Sequence, residues 1–158
     1  MFQVGDRIAH PMHGAGIVRE IVQQRVDGQD CSFYSVEMTT GSMRVLVPCA
    51  PCSGLAVRAL VTAEEAEALL ARIPELDDSN IQNWNQRYRE NMLKMKSGDL
   101  LQVAEVIKSL TARDRKRGLS TGERKLLTCA RSNLLSELSM TLEAELKDVE
   151  AWLDRALK

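Results

Sequence analysis

The spacing of apolar residues changes near residue 60, and that break constrains the fold more than any other feature of this 158-residue chain. Before it the period is about two; after it the period is about 3.6. Strands followed by helices predict an α+β protein in which the two kinds of element are segregated. Six of the nine glycines and three of the four prolines precede the break, so the strands must be short.

Those strands are predicted over residues 2–4, 7–10, 16–26, 31–38 and 43–47. Turns are expected at Pro11-Met12-His13-Gly14 and Thr40-Gly41, Asp27-Gly28 is a hairpin signal, and Pro48 stops the last strand. Five short strands in under sixty residues suggest a small SH3-like or Tudor-like β-barrel, with residues 1–58 as its domain. A module of this kind works by offering a strand edge or a groove to a partner.

Residues 62–158 read as a compact five-helix domain. Thr62 is placed to cap the first helix, with Glu64 and Glu65 in its first turn and Pro74 at its end. Ile81, Trp84, Tyr88, Met92 and Met95 recur at helical spacing until Ser97-Gly98. Leu100, Val103, Ala104, Ile107 and Leu110 mark a third helix that Gly118 ends. Ser120-Thr121-Gly122-Glu123 is a capping-box pattern opening a fourth, and Thr141 is expected to open a fifth. The linker falls at residues 54–60, short enough to restrict how the two domains sit.

A net charge of −1 hides a polarised chain. Between Trp84 and Arg131 there are twelve Lys or Arg against five acids, a local net of +7, while acids dominate on both sides. Such asymmetry points to a polyanion such as nucleic acid. Arg113 to Arg117 would end one helix and Arg124 with Lys125 would begin the next, gathering more cations than capping requires. A helix starting at Ser120 adds backbone donors for a phosphate. Spacing alone, with Ile81 and Tyr88 as helical neighbours, favours Trp84 as a core residue.

Other chemistry finds little support. Cys49-Ala50-Pro51-Cys52 lacks a second knuckle for zinc, and it follows a barrel strand where a redox site would need a helix N-terminus. His10 and His13 pair with no nucleophile or carboxylate at a catalytic spacing. No catalytic residue, cofactor or metal is therefore expected. No apolar run is long enough to span a membrane, and the opening lacks the pattern of a secretory signal. Four cysteines then fit reduced thiols in a cytoplasmic protein.

Two blocks of motifs carry a resemblance. Phe2-Gln3-Val4-Gly5-Asp6, His10-Pro11-Met12-His13-Gly14-Ala15-Gly16 and Val45-Leu46-Val47-Pro48 form the first. Asn83-Trp84-Asn85-Gln86-Arg87-Tyr88, Lys96-Ser97-Gly98-Asp99, Val103-Ala104-Glu105-Val106 and the run from Arg117 through Ser120 and Glu123 to Lys125 form the second. In order and spacing they resemble the CarD/CdnL family of bacterial transcription regulators, whose N-terminal module also occurs in transcription-repair coupling factor. The resemblance covers about 150 residues.

It implies a barrel that docks on the RNA polymerase β subunit and a helical domain held over promoter DNA at the upstream edge of the bubble. The residue matching Trp84 would wedge into the distorted minor groove and stabilise the open complex, which reverses the core reading of that side chain. Arg87, Arg89, Arg117, Arg124, Lys125 and Arg131 would contact DNA. Gln24, Arg25, Val26, Met43, Arg44, Leu46 and Pro48 would face polymerase. Gln24 and Leu46 stand where members commonly carry cations, as do Gln86 and Cys129, so a more apolar polymerase contact and a weaker DNA contact are implied. The protein is expected to act as a monomer. The rival expectation is a protein-only adaptor whose basic face is merely solvated.

Overall fold

The computed structural model describes residues 2–10, 13–39, 43–49, 58–76 and 83–157. Over these the chain is α+β, with a five-stranded antiparallel sheet followed by five helices. The strands are β1 (Arg7–His10), β2 (Gly14–Val26), β3 (Gln29–Met38), β4 (Arg44–Pro48) and β5 (Arg58–Ala59), in the order β4-β3-β2-β1-β5. Among the described residues no pairing closes β4 onto β5, so the sheet is open, which remains consistent with the expected Tudor-like module.

Asp27 and Gly28 both take positive φ, 51° and 78°, which is the geometry a two-residue hairpin turn demands. The β2–β3 pair is irregular between Val18 and Glu20. Beyond that bulge the outer half of the hairpin leaves the core, and Ile21, Gln24, Arg25 and Val26 are all exposed. Ile8, Val18, Tyr34, Val36, Met38 and Val47 form the small core beneath the inner half.

Residues 2–4 do not form the expected strand; Val4 and Gly5 make a turn instead. The amide of Gln3 donates to Asp6 Oδ2 at 2.8 Å, that of Asp6 donates back to Gln3 O, and Gly5 has φ 96°. An Asp side chain that captures nearby amides competes with strand pairing, and here it wins. Phe2 instead lies edge-on against Tyr34, whose hydroxyl accepts its amide at 3.0 Å. The fifth strand is β5, inside what reads as a linker, pairing with Ile8 and Ala9 of β1. The turns at Pro11-Met12 and Thr40-Gly41, the Ala50 to Cys52 part of the Cys-x-x-Cys motif, residues 54–57 of the linker, and Ile81 lie outside the described residues.

The helices are α1 (Ala63–Arg72), α2 (Trp84–Lys96), α3 (Leu100–Arg117), α4 (Thr121–Leu142) and α5 (Leu146–Leu157), with a 3-10 turn at Ile73–Glu75. Each of the first four begins on a side-chain cap: Thr62, Asn83, Asp99 and Ser120 accept backbone amides of the first turn. The reciprocal capping box is complete at Thr62 and Glu65. At Ser120 only half of it forms, because the Glu123 carboxylate is turned elsewhere. Thr141 does not open the last helix: α4 runs on to Leu142, and the left-handed Glu143 (φ 51°) ends it. Thr141 Oγ1 instead donates to Val61 O at 3.0 Å.

α4 is the spine. Its apolar face, with Leu126, Ala130, Leu134 and Leu138, packs into one core with α1, α3 and α5, while other residues of the same helix meet the sheet. Ser136 Oγ accepts the Ala15 amide at 3.1 Å, and Met140 O accepts from Arg7 Nη1 at 3.2 Å. Gly14 lets β2 come this near: its φ is 83°, and a Cβ there would stand 2.6 Å from Ser136 Oγ. Glu137, 2% exposed, accepts two bonds from Arg58 (2.7 and 2.9 Å) and one from the Val61 amide (2.8 Å). Arg58 also donates to Gly98 O. One ion pair thus joins β5, the α2–α3 turn and the middle of α4.

Candidate nucleic-acid interface

Asn83, itself extended, takes the Gln86 amide on its side chain, which makes Trp84 the first helical residue. A first-turn side chain can overhang the helix end, and Trp84 does so at 44% exposure. The core expectation from spacing fails here: Trp84 is the first residue of α2 and its side chain is exposed. Tyr88, one turn on, stacks beneath the indole with ring centroids 5.3 Å apart and planes 15° from parallel. The indole Nε1–H donates to Ser120 Oγ at 3.0 Å, so its edge is pinned to the cap of α4.

Arg87 faces the other way. It is 5% exposed, and its Nε and Nη2 donate to the two oxygens of Glu123 at 2.7 and 3.0 Å. That bidentate pair, chiefly through the Arg87 hydrogen bonds, holds the Glu123 carboxyl below its ordinary value although burial alone would raise it. Arg87 therefore stands where a buried carboxylate needs it, not where a phosphate could reach it. The sequence offers no sign of this, since Glu123 reads there as the second half of a capping box.

The remaining cations divide. Arg89, Arg117, Arg124 and Lys125 are exposed. Arg117 closes α3 and Arg124 and Lys125 lie in the opening turns of α4, so these three flank the same Ser120 that holds the indole. Arg124 lies 3.7 Å from Asp114, a loose surface contact between side chains 61% and 39% exposed. Arg131 is turned towards α5, 3.0 Å from Asp154 and 3.6 Å from Glu150. Arg115 is also engaged, donating to Leu157 O at 3.0 Å. Arg124 and Lys125 border a cleft of about 590 Å³ shared with His13, Met43 and Cys129. Burial pushes the Cys129 thiol up, so it remains a neutral thiol.

On the sheet, cross-strand partners point to one face, and the register decides which candidates can act together. Val22 pairs with Phe33 and Phe33 with Pro48; Gln24 pairs with Cys31; Ser35 pairs with Leu46 and Glu37 with Arg44. Gln24, Val26, Arg44, Leu46 and Pro48 therefore share the outer face, joined by Val22 and Phe33, which the sequence reading leaves out. Arg25 and Met43 have the opposite parity, and Met43 borders the cleft by α4 instead. Among the described residues β4 is an edge strand, and this face ends there.

Among the described residues no group of His, Cys, Asp and Glu could hold a metal ion, and Cys31, Cys49 and Cys129 are free thiols. No described helix is long and apolar enough to cross a membrane.

Residues 2–58 match the CarD-like/TRCF RID domain, and residues 68–154 match the CarD C-terminal domain. The chain is also 29% identical over 140 residues to "Putative transcription factor YdeB" of Bacillus subtilis (strain 168), covering 89% of this chain and 92% of that one. This is a family of transcription factors and not of enzymes. With the interaction module over its sheet and the family's C-terminal module over its helices, the protein belongs to the CarD-like transcription factors that carry an RNA polymerase-interacting domain.

Proposed function

We propose that the chain is a two-domain regulator that grips the RNA polymerase β subunit with the outer face of β2, β3 and β4 and contacts promoter DNA with the α2 and α3–α4 surface, stabilising the open complex. The observation that carries this reading is the half-exposed Trp84 indole, bonded to Ser120 at the head of α4, with the exposed Arg117, Arg124 and Lys125 close to Ser120 along the chain. Phosphate contacts position a protein without reading sequence, whereas an apolar wedge favours a step that is already unstacked. A flat ring held rigidly beside exposed cations suits a melted edge better than an intact duplex. The outer sheet face sets Val22, Val26, Phe33, Leu46 and Pro48 among polar side chains and, among the described residues, ends at the edge strand β4, which suits a protein partner. Arg87 is a supporting residue in this scheme and Arg131 an ion-paired one, leaving Arg89, Arg117, Arg124 and Lys125 for phosphates.

Four phosphate contacts predict a slope of about −3.6 in log K against log salt, so affinity for DNA alone should be weak and lost quickly as salt rises. Tethering by the polymerase-bound sheet raises the effective concentration enough to compensate. The test is a gel shift on a bubble-containing duplex at low salt, with and without polymerase. Binding that weakens with that slope supports the proposal. A protein-only adaptor predicts no shift under either condition.

A further inference from the structure

Granting that Trp84 is the wedge, we infer that Ser120 is its positioning residue, and that Ser120 is set in turn by Glu123 and Arg87 in one closed circuit of hydrogen bonds. The Ser120 hydroxyl oxygen accepts two N–H groups, from the Trp84 indole at 3.0 Å and from the Glu123 amide at 3.2 Å. Its own proton goes to Glu123 Oε1 at 3.2 Å. A serine hydroxyl has two acceptor sites and one donor, so all three are in use and the oxygen cannot rotate away without breaking a bond. Glu123 is immobilised from its other side by Arg87, at 2.7 and 3.0 Å. Arg87 is three residues from Trp84 on α2, so the circuit returns to the helix it left.

The ring is therefore held both on its face and at its edge. Tyr88 stacks on its face, and the α4 backbone at Gly122 lies along both rings: a Cβ there would be 3.6 Å from Tyr88 and 3.9 Å from Trp84. Stacking alone leaves an indole free to slide in its plane; a hydrogen bond at one edge stops that sliding. The exposed edge is thereby presented at one tilt before DNA arrives, and a wedge ordered in advance gives up less freedom on insertion.

The test uses the full chain carrying Trp152→Phe, which leaves Trp84 as the one indole. Ser120→Gly keeps most of the capping preference but removes the acceptor, and Ser120→Thr keeps both. In Ser120→Gly the indole N–H resonance should move and exchange faster with water, and affinity for a bubble duplex should fall about fivefold, the effect of one ordinary hydrogen bond. Ser120→Thr should restore both. Replacing Trp84 by 3-benzothienylalanine, which has sulfur in place of the N–H, should lower affinity equally while leaving the α4 cap untouched, so the outcome does not depend on how Ser120→Gly folds. Wild-type affinity in either the glycine or the benzothienyl variant, with Trp84→Ala weakened, would overturn the positioning role and leave the wedge standing. Wild-type affinity in Trp84→Ala would overturn the wedge itself, and the positioning role with it.

Discussion

Arg87→Ala is expected to lower the unfolding free energy by about 3–5 kcal/mol, because it leaves a buried carboxylate without its cation. The side chains of Arg87 and Glu123 are 6% and 2% exposed, so neither can fall back on water. After the substitution Glu123 would keep, among the described residues, the Ser120 hydroxyl, a neutral donor at 3.2 Å, and the weaker pull of the Arg113 charge. Small domains have roughly 5–15 kcal/mol in total, so the loss is a large share and urea titration would show it plainly. The same pair should also shape the acid limb of stability. Glu123 titrates lower in the folded chain than the ordinary 4.5, so its contribution is complete above that pH and is lost as pH falls through the lowered folded value. Arg87→Ala should flatten that part of the profile. A change under about 1 kcal/mol would mean that the pair is solvated like a surface salt bridge.

Arg58→Ala is expected to cost about 2–4 kcal/mol, somewhat less because the Arg58 side chain is 30% exposed while that of Glu137 is 2%. Its distinctive effect is on how the sheet meets the helices. Glu137 accepts from both Arg58 and the Val61 amide, so one substitution weakens the anchorage of β5 and of the segment leading into α1. Amide exchange at Ala15 and Val61, both bonded to α4 side chains, should accelerate at least about tenfold, while amides in the middle of α3 change only with global stability. Uniform acceleration would show that this pair supports the whole chain and not the junction.

Much of this fold can be read from local chemistry. Asp27-Gly28 turns the hairpin and Gly118 ends α3, both at positive φ, and Thr62 and Ser120 cap helices; each is decided within about four residues. The errors arise where distant groups decide. β5 is two residues long, too short for any alternation to appear, and exists because β1 lies beside it. The turn at Val4-Gly5 is a local exception, held by Asp6, whereas Thr141, inside α4, bonds Val61, 80 residues away.

The candidate interface divides the same way. The clustering of Arg117, Arg124 and Lys125 about one turn is visible in the sequence. That Arg87 turns inward is not, since its partner Glu123 lies 36 residues away and has a sufficient local explanation as a capping residue. Trp84 misleads for a related reason. Periodicity describes a helix already under way, whereas Trp84 is the residue with which α2 begins.

If the Trp84 indole acts on opened promoter DNA while the sheet holds polymerase, Trp84→Ala should still co-purify with polymerase but shorten open-complex lifetime, measured by competitor challenge, to that of polymerase alone. An undiminished lifetime with Trp84→Ala bound to polymerase would rule that role out.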